Sequence, residues 1–331
     1  MLGVIGAVLL AALITMFLTP PTREWCIRKG GSMVDQPEAR RVNTEPLARG
    51  GGIPIFIGFI VSASLALLIR QLRLPGQPVW TPQITGVLLA TCCIALGGLA
   101  DDLKNLPAKL QILLMIGSAL ILVAFGVRIE GVANPFNGGA WLELHIALSI
   151  FITVFWVIVV TKTVDALDGS DGVAAGVCTI CATTLALMAS QLKNVGGPQI
   201  ALISAALTGS CIGFLRHNFY PAKIIMGTVG AYVLGFTLAS ISIMGAFKLA
   251  ATVSVAVPIL VLGVPIFDFT HVLASRFINR VPLTKADKRH LHHRLLARGW
   301  NQRQVAWTIY GITLAFCAVA LIIFQTTHTG R

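Results

Sequence analysis

Three carboxylates lie close together in the segment TKTVDALDGSDGVAAG, residues 161–176, between two apolar stretches. Asp165, Asp168 and Asp171 follow one another at a spacing of three residues. If that spacing is helical, Asp165 and Asp168 share a face, with Lys162 one turn before them. Charges at a bilayer boundary are costly and mark functional sites, so the segment predicts a site. An ordinary polar turn, in which Asp and Gly are common, is the alternative.

A second acidic motif is the pair Asp101–Asp102, which is followed by Lys104 and Lys109. Adjacent carboxylates repel each other, so such a pair either raises one pKa or holds a cation. Mg²⁺ prefers oxygen ligands, usually one or two carboxylates together with substrate phosphate. The pair therefore predicts a Mg²⁺ site. Its alternative role is to complement the dipole at the start of the helix that follows.

Basic residues that suit phosphate binding occur in two further segments. Arg49 directly precedes the glycines 50–52, which allow tight backbone turns, so Arg49 could bind a phosphate. Alternatively, the glycines form a hinge and Arg49 anchors the span at the cytoplasmic side. Residues 288–294 read KRHLHHR. Arg binds phosphate bidentately and His donates to phosphate oxygens, which favours an anion-binding segment over a metal site or a surface helix on anionic lipid. Its candidate residues are His290, His292, His293 and Arg294.

The elements that must position these residues are membrane spans. The chain of 331 residues is 56% hydrophobic and 11% charged, whereas about a quarter of the residues in a soluble domain are charged. We therefore predict an all-α polytopic membrane protein, with residues 1–331 forming a single integral membrane domain. Ten apolar runs are long enough to predict spans. They cover about 2–18, 52–69, 84–100, 110–127, 146–160, 173–192, 199–215, 224–246, 249–275 and 305–325.

The distribution of basic residues predicts how the spans are oriented. Nineteen of the 25 Lys and Arg residues fall in the odd-to-even loops and the remaining six on the opposite side. Because cytoplasmic loops carry the excess of Lys and Arg, both termini are predicted to be extracytoplasmic and the active-site cleft to lie at the cytoplasmic face of the inner (plasma) membrane. The net charge of +12 then reflects orientation and not a nucleic-acid partner. The predicted cytoplasmic loops are about 20–51, 101–109, 161–172, 216–223 and 276–304.

Carboxylates that hold a divalent cation, beside basic groups that hold phosphate, are the components of phosphoryl transfer. The embedded location suggests that one substrate is a lipid. Several motifs carry a more specific signal through their order and spacing. They are DQP at 35–37, PLARGGGI at 46–53, ADDLKNLPAK at 100–109, DGSDGVAAG at 168–176, MGTVGA at 226–231, GVPIFD at 263–268 and DKRHLHHRLLARGWNQRQV at 287–305.

With these motifs the chain resembles the polyprenyl-phosphate N-acetylhexosamine-1-phosphate transferases, which include the phospho-N-acetylmuramoyl-pentapeptide transferases. The resemblance implies ten or eleven spans, a homodimer, and dependence on Mg²⁺, which Mn²⁺ could replace. It implies transfer of a sugar-1-phosphate from a UDP-sugar to undecaprenyl phosphate, with release of UMP. Such a reaction is a first membrane step of cell-envelope glycan synthesis, as for lipopolysaccharide or teichoic acid.

The resemblance also assigns roles to residues of this chain. Asp101 and Asp102 match paired aspartates that serve the attacking phosphate, and Lys109 matches a lysine near the phosphates. The His-rich segment matches a loop that binds pyrophosphate. The expected site comprises Asp101, Asp102 and Asp168 as catalytic residues; Asp165, Thr228 and Asp102 as metal ligands; and Arg49, Lys109, Lys162, Asp171, His290, His292, His293 and Arg294 as substrate-binding residues.

The chain departs from the family pattern at four positions. The family usually has Asn where Lys162 and Asp165 stand, Asp where Thr228 stands, and often Phe where Ile225 stands. Our hypothesis is a compensating exchange, in which Asp165 takes over the role of anionic ligand and Thr228 supplies a hydroxyl contact. Lys162 would then pair with Asp165 or with a substrate phosphate. With Ile225 in place of Phe, stacking on uracil is not expected, so the donor would either be held differently or not be a UDP-sugar.

Two other functions are compatible with parts of the sequence. A transferase-like protein without activity could use the same cleft to bind a lipid phosphate or a nucleotide, and Thr228 favours this alternative. A transporter would need charges at mid-span, whereas almost every charge here lies at the predicted cytoplasmic boundary. Among donors, the short His-rich loop favours a UDP-N-acetylglucosamine type of enzyme over the pentapeptide branch.

Overall fold

The computed structural model describes residues 2–35, 46–74, 76–133, 141–192, 196–246, 256–279 and 290–329. The described chain is mostly helical. Its helices are α1 (Leu2–Lys29), α2 (Gly52–Arg73), α3 (Pro82–Lys104), α4 (Ala108–Ala124), α5 (Ile146–Leu167), α6 (Val173–Gln191), α7 (Gly197–Asn218), α8 (Gly227–Ala246), α9 (Ala256–Val261), α10 (Gly263–Ile278), α11 (Leu291–Ala297) and α12 (Gln302–Thr329). Short strands are β1 (Val34–Asp35), β2 (Leu47–Arg49), β3 (Gly131–Ala133), β4 (Trp141–Glu143) and β5 (Ile224–Ile225).

Eight of the described helices are long and apolar enough to cross a membrane, so the prediction of a polytopic helical membrane protein is confirmed. The fourth predicted span corresponds to α4, whose 17 residues are at the lower limit of the length that crosses a membrane. The ninth predicted span, about 249–275, lies partly outside the described residues. Its described part is divided between α9 and α10. Parts of the first and last predicted cytoplasmic loops, residues 36–45 and 280–289, also lie outside the described residues.

Helix α8 lies inside the bundle, where it packs against α2, α3, α5, α6 and α7. Small residues allow its close contact with α2, as is common between membrane helices. A Cβ atom added to Gly52 would overlap with the backbone of Gly230, so the starts of the two helices are in backbone contact. This contact brings Arg49, just before α2, to the first turn of α8.

A small sheet, which the sequence did not predict, reinforces this arrangement. Strand β2 pairs antiparallel with β1 and parallel with β5, so that Arg49 lies beside Ile225. Beyond the strands, the N–H of Gly51 donates to Ile225 O at 3.0 Å and that of Gly52 donates to Met226 O at 2.8 Å. Residues some 175 positions apart in sequence are thus held in a defined register.

Candidate active site

The first turn of α8 gathers carboxylates from two distant parts of the chain. The N–H of Gly227 donates to Asp168 Oδ2 at 3.2 Å. The N–H groups of Thr228 and Val229 donate to the two carboxylate oxygens of Asp102, at 2.8 and 3.0 Å. The first N–H groups of a helix lack intrahelical acceptors and carry partial positive charge. The start of α8 therefore binds one carboxylate from α3 and one from the segment after α5.

The glycine at position 227 is required by this geometry. Its φ of +73° lies in the left-handed region, which side chains other than glycine rarely adopt. A Cβ atom there would lie 2.9 Å from Asp102 Oδ2 and 3.1 Å from Arg49 Cγ. The MGTVGA motif thus presents backbone N–H groups to the site, and its first glycine keeps the space that the Asp102 carboxylate and Arg49 occupy.

Arg49 connects the sheet to the carboxylates. Its Nε lies 2.9 Å from Oδ1 of the buried Asp102, and its Nη2 donates to Thr228 Oγ1 at 2.9 Å. Hydrogen bonds between charged groups are about twice as strong as neutral ones. These bonds use two of the five guanidinium donors, and the side chain is partly exposed. Arg49 therefore holds Asp102 in place and keeps donors for a ligand.

The neighbouring Asp101 has a separate set of partners. Its Oδ1 accepts from the Leu106 N–H at 2.8 Å and from Gln111 Nε2 at 3.0 Å, while its Oδ2 accepts from the Thr228 hydroxyl at 2.7 Å. The paired aspartates thus point into different networks, and each is satisfied by protein donors. The hydroxyl of Thr228, which we expected at the metal, bridges Arg49 and Asp101.

Lys162 lies at the centre of the polar network. Its Nζ donates to Gln111 Oε1 at 2.9 Å, Asp165 Oδ2 at 3.0 Å and Tyr232 OH at 3.2 Å, which satisfies all three donors of an ammonium group. The structure shows the pairing of Lys162 with Asp165, which was one of the two partners expected from the compensating exchange. Gln111 joins this ammonium group to Asp101 through its amide nitrogen.

Asp168 directly follows α5, and its carboxylate has an altered acidity. Burial raises its pKa well above the usual value, and the negative charges of Asp165 and Asp102 raise it further. The Gly227 N–H and Arg49 act in the opposite direction. We refer to Asp101, Asp102, Asp165 and Asp168 as the carboxylate cluster. Negative charges that raise the pKa of Asp168 form an environment that a cation would stabilise.

The carboxylate cluster suits a cation shared with substrate. Within the described residues, no group of three His, Cys, Asp or Glu side chains is arranged to hold a metal ion by itself. Mg²⁺ usually binds through one or two carboxylates and takes its other ligands from phosphates and water. Asp101 and Asp102 each accept three bonds from protein donors. Among the described residues Asp165 and Asp168 each accept one, so these two carboxylates fit the pattern better.

Asp171 makes different contacts from the two carboxylates before it. Its Oδ2 accepts from the Ala222 N–H at 2.9 Å, and its own N–H donates to Gln302 Oε1 at 3.3 Å. It therefore ties the DGSDG turn to the loop before β5 and to the start of α12. The spacing of three is not helical here because α5 ends at Leu167.

The described part of the His-rich segment forms α11 and the residue before it. Asp268 of α10 holds its start, because one oxygen lies 2.8 Å from His290 Nδ1 and the other accepts from the Leu291 N–H at 2.6 Å. The exposed Arg294 reaches His271, with 3.2 Å between Nη1 and Nε2. Lys288 and Arg289 lie outside the described residues.

His292 connects this segment to the acidic one. It is buried, with its ring stacked 5.8 Å from that of His290 and 4.2 Å from that of His293. Neither of its ring nitrogens has a hydrogen-bond partner within the described structure. A Cβ added to Gly169 would lie 2.6 Å from His292 Nε2, so the ring packs on the glycine next to Asp168. Burial, then the charges of His293 and His290, lowers the pKa of His292 to about 3, which keeps its imidazole neutral.

The structure thus brings together most of the predicted site residues and adds two that sequence reasoning missed. Lys109 is exposed in the first turn of α4. Gln111 and Tyr232 were missed, although a polar side chain inside an apolar run was a usable signal for both. The residues that meet around the start of α8 are Arg49, Asp101, Asp102, Gln111, Lys162, Asp165, Asp168, Thr228 and Tyr232.

The chain is similar to one protein family and to several known proteins. The family described as "Glycosyl transferase family 4" matches residues 84–246. The chain is 32% identical over 329 residues to the "Probable undecaprenyl-phosphate N-acetylglucosaminyl 1-phosphate transferase" of Bacillus subtilis, covering 99% of this chain and 87% of the relative. It is 33% identical to the "Decaprenyl-phosphate N-acetylglucosaminephosphotransferase" of Mycobacterium tuberculosis H37Rv, covering 97% and 83%. It is 28% identical to the "Phospho-N-acetylmuramoyl-pentapeptide-transferase" of a Synechococcus species, covering 94% and 87%.

Proposed function

The chain belongs to glycosyl transferase family 4, and from this membership and the site at the start of α8 we propose that it transfers a sugar-1-phosphate from a UDP-sugar to a polyprenyl phosphate. The products are the polyprenyl-pyrophosphoryl sugar and UMP. The names of the relatives favour undecaprenyl or decaprenyl phosphate as acceptor and N-acetylglucosamine as sugar. The observation that carries the proposal is the convergence of Asp102, Asp168 and Arg49 on the first turn of α8.

The reaction exchanges one phosphorus–oxygen bond for another. An oxygen of the lipid phosphate attacks the β-phosphorus of the UDP-sugar, and the bond from that phosphorus to the bridging oxygen breaks as UMP leaves. A phosphate monoester loses its second proton with a pKa of about 6. Near neutral pH most of the lipid phosphate is therefore already ionised and able to attack, which leaves the Asp168 carboxylate for a cation.

The other residues of the site orient charge. Arg49 can offer a phosphate oxygen the guanidinium donors that its bonds to Asp102 and Thr228 do not use, and those two bonds fix its direction. Neutral His292 can donate one N–H to a phosphate beside Gly169. When bound at Asp165 and Asp168, Mg²⁺ or Mn²⁺ supplies positive charge to the phosphate oxygens. The Lys162 ammonium offsets the charge of Asp165 from the protein side.

The proposed setting of the reaction is the cytoplasmic face of the inner membrane. We propose ten spans, with both termini extracytoplasmic and the site facing the nucleotide-sugar pool. The excess of basic residues in the loops on the site's side supports this orientation. We also propose that the protein forms a homodimer, because the family resemblance implies one.

A second candidate function is binding without turnover. It is favoured by one observation, the Thr228 hydroxyl, which bridges Arg49 and Asp101 at the position where the family usually carries a carboxylate. In this alternative the cleft would hold a lipid phosphate or a nucleotide, and no UMP would form.

One assay separates the two functions. Purified protein is mixed with undecaprenyl phosphate, Mg²⁺ and each of a panel of UDP-sugars, and released UMP is measured. We expect release with UDP-N-acetylglucosamine, its loss in Asp168→Asn, and normal release by a Lys104→Met control, which alters an exposed residue at the end of α3. Binding of undecaprenyl phosphate with no UMP from any donor would refute the transferase and support the binding protein.

A further inference from the structure

A cavity lies at the opposite end of the bundle from the active site. It has a volume of about 400 Å³ and lies between α1, α2, α6 and α7. Helix α2 starts at Gly52, beside the active site, and its last residue, Arg73, lines this cavity. At 1.5 Å per residue, its 22 residues span about 33 Å. The cavity is therefore a separate site, and nothing in the transfer reaction uses it.

Two arginines in the last turn of α2, Arg70 and Arg73, line the cavity. The Nε of Arg70 is buried and has no hydrogen-bond partner within the described structure. None of the described residues that line the cavity is acidic. Leaving a buried N–H donor without an acceptor costs free energy. Interaction with the helix dipole explains basic residues at the end of α2, but it explains neither the unpaired donor nor the cavity.

The remaining wall of the cavity is largely apolar and includes Val4, Ile69 and Leu202. The first turn of α7 contributes Pro198, and the positive end of a helix dipole favours an anion there. A free anion would use the arginines and leave the apolar wall unused. A ligand with a phosphate next to a hydrocarbon chain would contact both.

We propose that this cavity binds an anionic phospholipid, with the phosphate on Arg70 and Arg73 and an acyl chain along Val4, Ile69 and Leu202. Guanidinium groups bind phosphate bidentately, and the unpaired Arg70 Nε gains an acceptor. The lipid belongs to the leaflet opposite the active site. This proposal does not depend on the transferase reaction.

Native mass spectrometry of the full-length protein tests the proposal. The delipidated protein is titrated with phosphatidylglycerol, with phosphatidylcholine and, in a separate arm, with inorganic phosphate. We expect tighter binding of phosphatidylglycerol than of phosphatidylcholine. The double variant R70Q/R73Q should lose at least about tenfold in affinity for phosphatidylglycerol. The matched control is R128Q, which alters a basic residue at the same end of the bundle that already pairs with Glu130 at 3.4 Å.

Several results would overturn the proposal. Equal binding of the two lipids, or an equal loss in R128Q, would mean that the arginines act only as general surface charge. Inorganic phosphate binding as tightly as phosphatidylglycerol would identify a free anion as the ligand. R70K/R73K keeps both charges and guards against misfolding of the double variant. If R70Q/R73Q does not fold, R70K/R73K is tested instead. Equal affinity of R70K/R73K for phosphatidylcholine and phosphatidylglycerol would also refute the proposal.

Discussion

Replacing Lys162 with Met tests whether the Lys162 ammonium group offsets negative charge at the proposed metal site. The ammonium group lies 3.0 Å from Asp165 Oδ2 and also bonds Gln111 and Tyr232. Its removal leaves Asp165 with an uncompensated negative charge. We therefore expect Lys162→Met to bind a divalent cation more tightly than the wild-type protein, although the substitution breaks three hydrogen bonds and lowers Tm.

The size of the gain follows from the geometry. Two unit charges about 4 Å apart interact with about 4 kcal/mol at an effective dielectric constant of 20. The Lys162 and Asp165 side chains are 25% and 32% exposed, so solvent screening reduces the effect to about 1 kcal/mol. That difference corresponds to roughly fivefold tighter binding.

Electron paramagnetic resonance of Mn²⁺ measures this affinity without requiring turnover. Titration of the wild-type protein and of Lys162→Met gives the two dissociation constants. Lys104→Met is the matched control because it removes an exposed ammonium group at the end of α3. Unchanged or weaker Mn²⁺ binding in Lys162→Met would refute the idea that this lysine offsets charge at the cation site.

Three further predictions concern the same network. Gly227→Ala places a Cβ 2.9 Å from Asp102 Oδ2 at a φ of +73°. The left-handed backbone should then cost about 1–2 kcal/mol of folding free energy, lower Tm and abolish UMP release. Gly311→Ala is the control and should leave both unchanged, because there is open space around Gly311. Gln111→Met breaks the bridge between Asp101 and the ammonium group, so kcat should fall about tenfold; an unchanged kcat would make the bridge dispensable. Because the pKa of Asp168 is raised, its ionised form is lost as pH falls through that higher value. UMP release should therefore decline at a pH above the ordinary range for Asp, and a pH profile that declines only near pH 4 would contradict this reasoning.

Local sequence predicted which residues belong to the site better than it predicted which contacts they make. Asp168 was recognised because a carboxylate next to an apolar span is costly, and Asp101 and Asp102 because adjacent carboxylates repel each other. The alternative role for the acidic pair, helix capping, is partly realised, but Asp102 caps α8 and not the helix that follows it. Which helix start a carboxylate reaches depends on tertiary packing, and no spacing along the chain records it.

The errors and omissions have the same physical origin. Asp171 was grouped with Asp165 and Asp168 because all three follow a spacing of three residues, but the helix α5 ends at Leu167, before Asp171. The bond between Gln111 and Tyr232 joins residues 121 positions apart, and β2 pairs with β5 over a longer separation. Contacts of this kind arise when helices pack, so a single sequence indicates that a polar residue needs a partner without identifying it.

The proposed reaction depends most on a cation that Asp168 and the substrate phosphates bind together. Pulsed electron paramagnetic resonance with Mn²⁺ and UDP-N-acetylglucosamine measures this directly, through the hyperfine coupling between the metal and phosphorus. We predict phosphorus coupling in the wild-type protein and its loss in Asp168→Asn. Absence of coupling in the wild-type protein, or equal coupling in Asp168→Asn, would contradict the account.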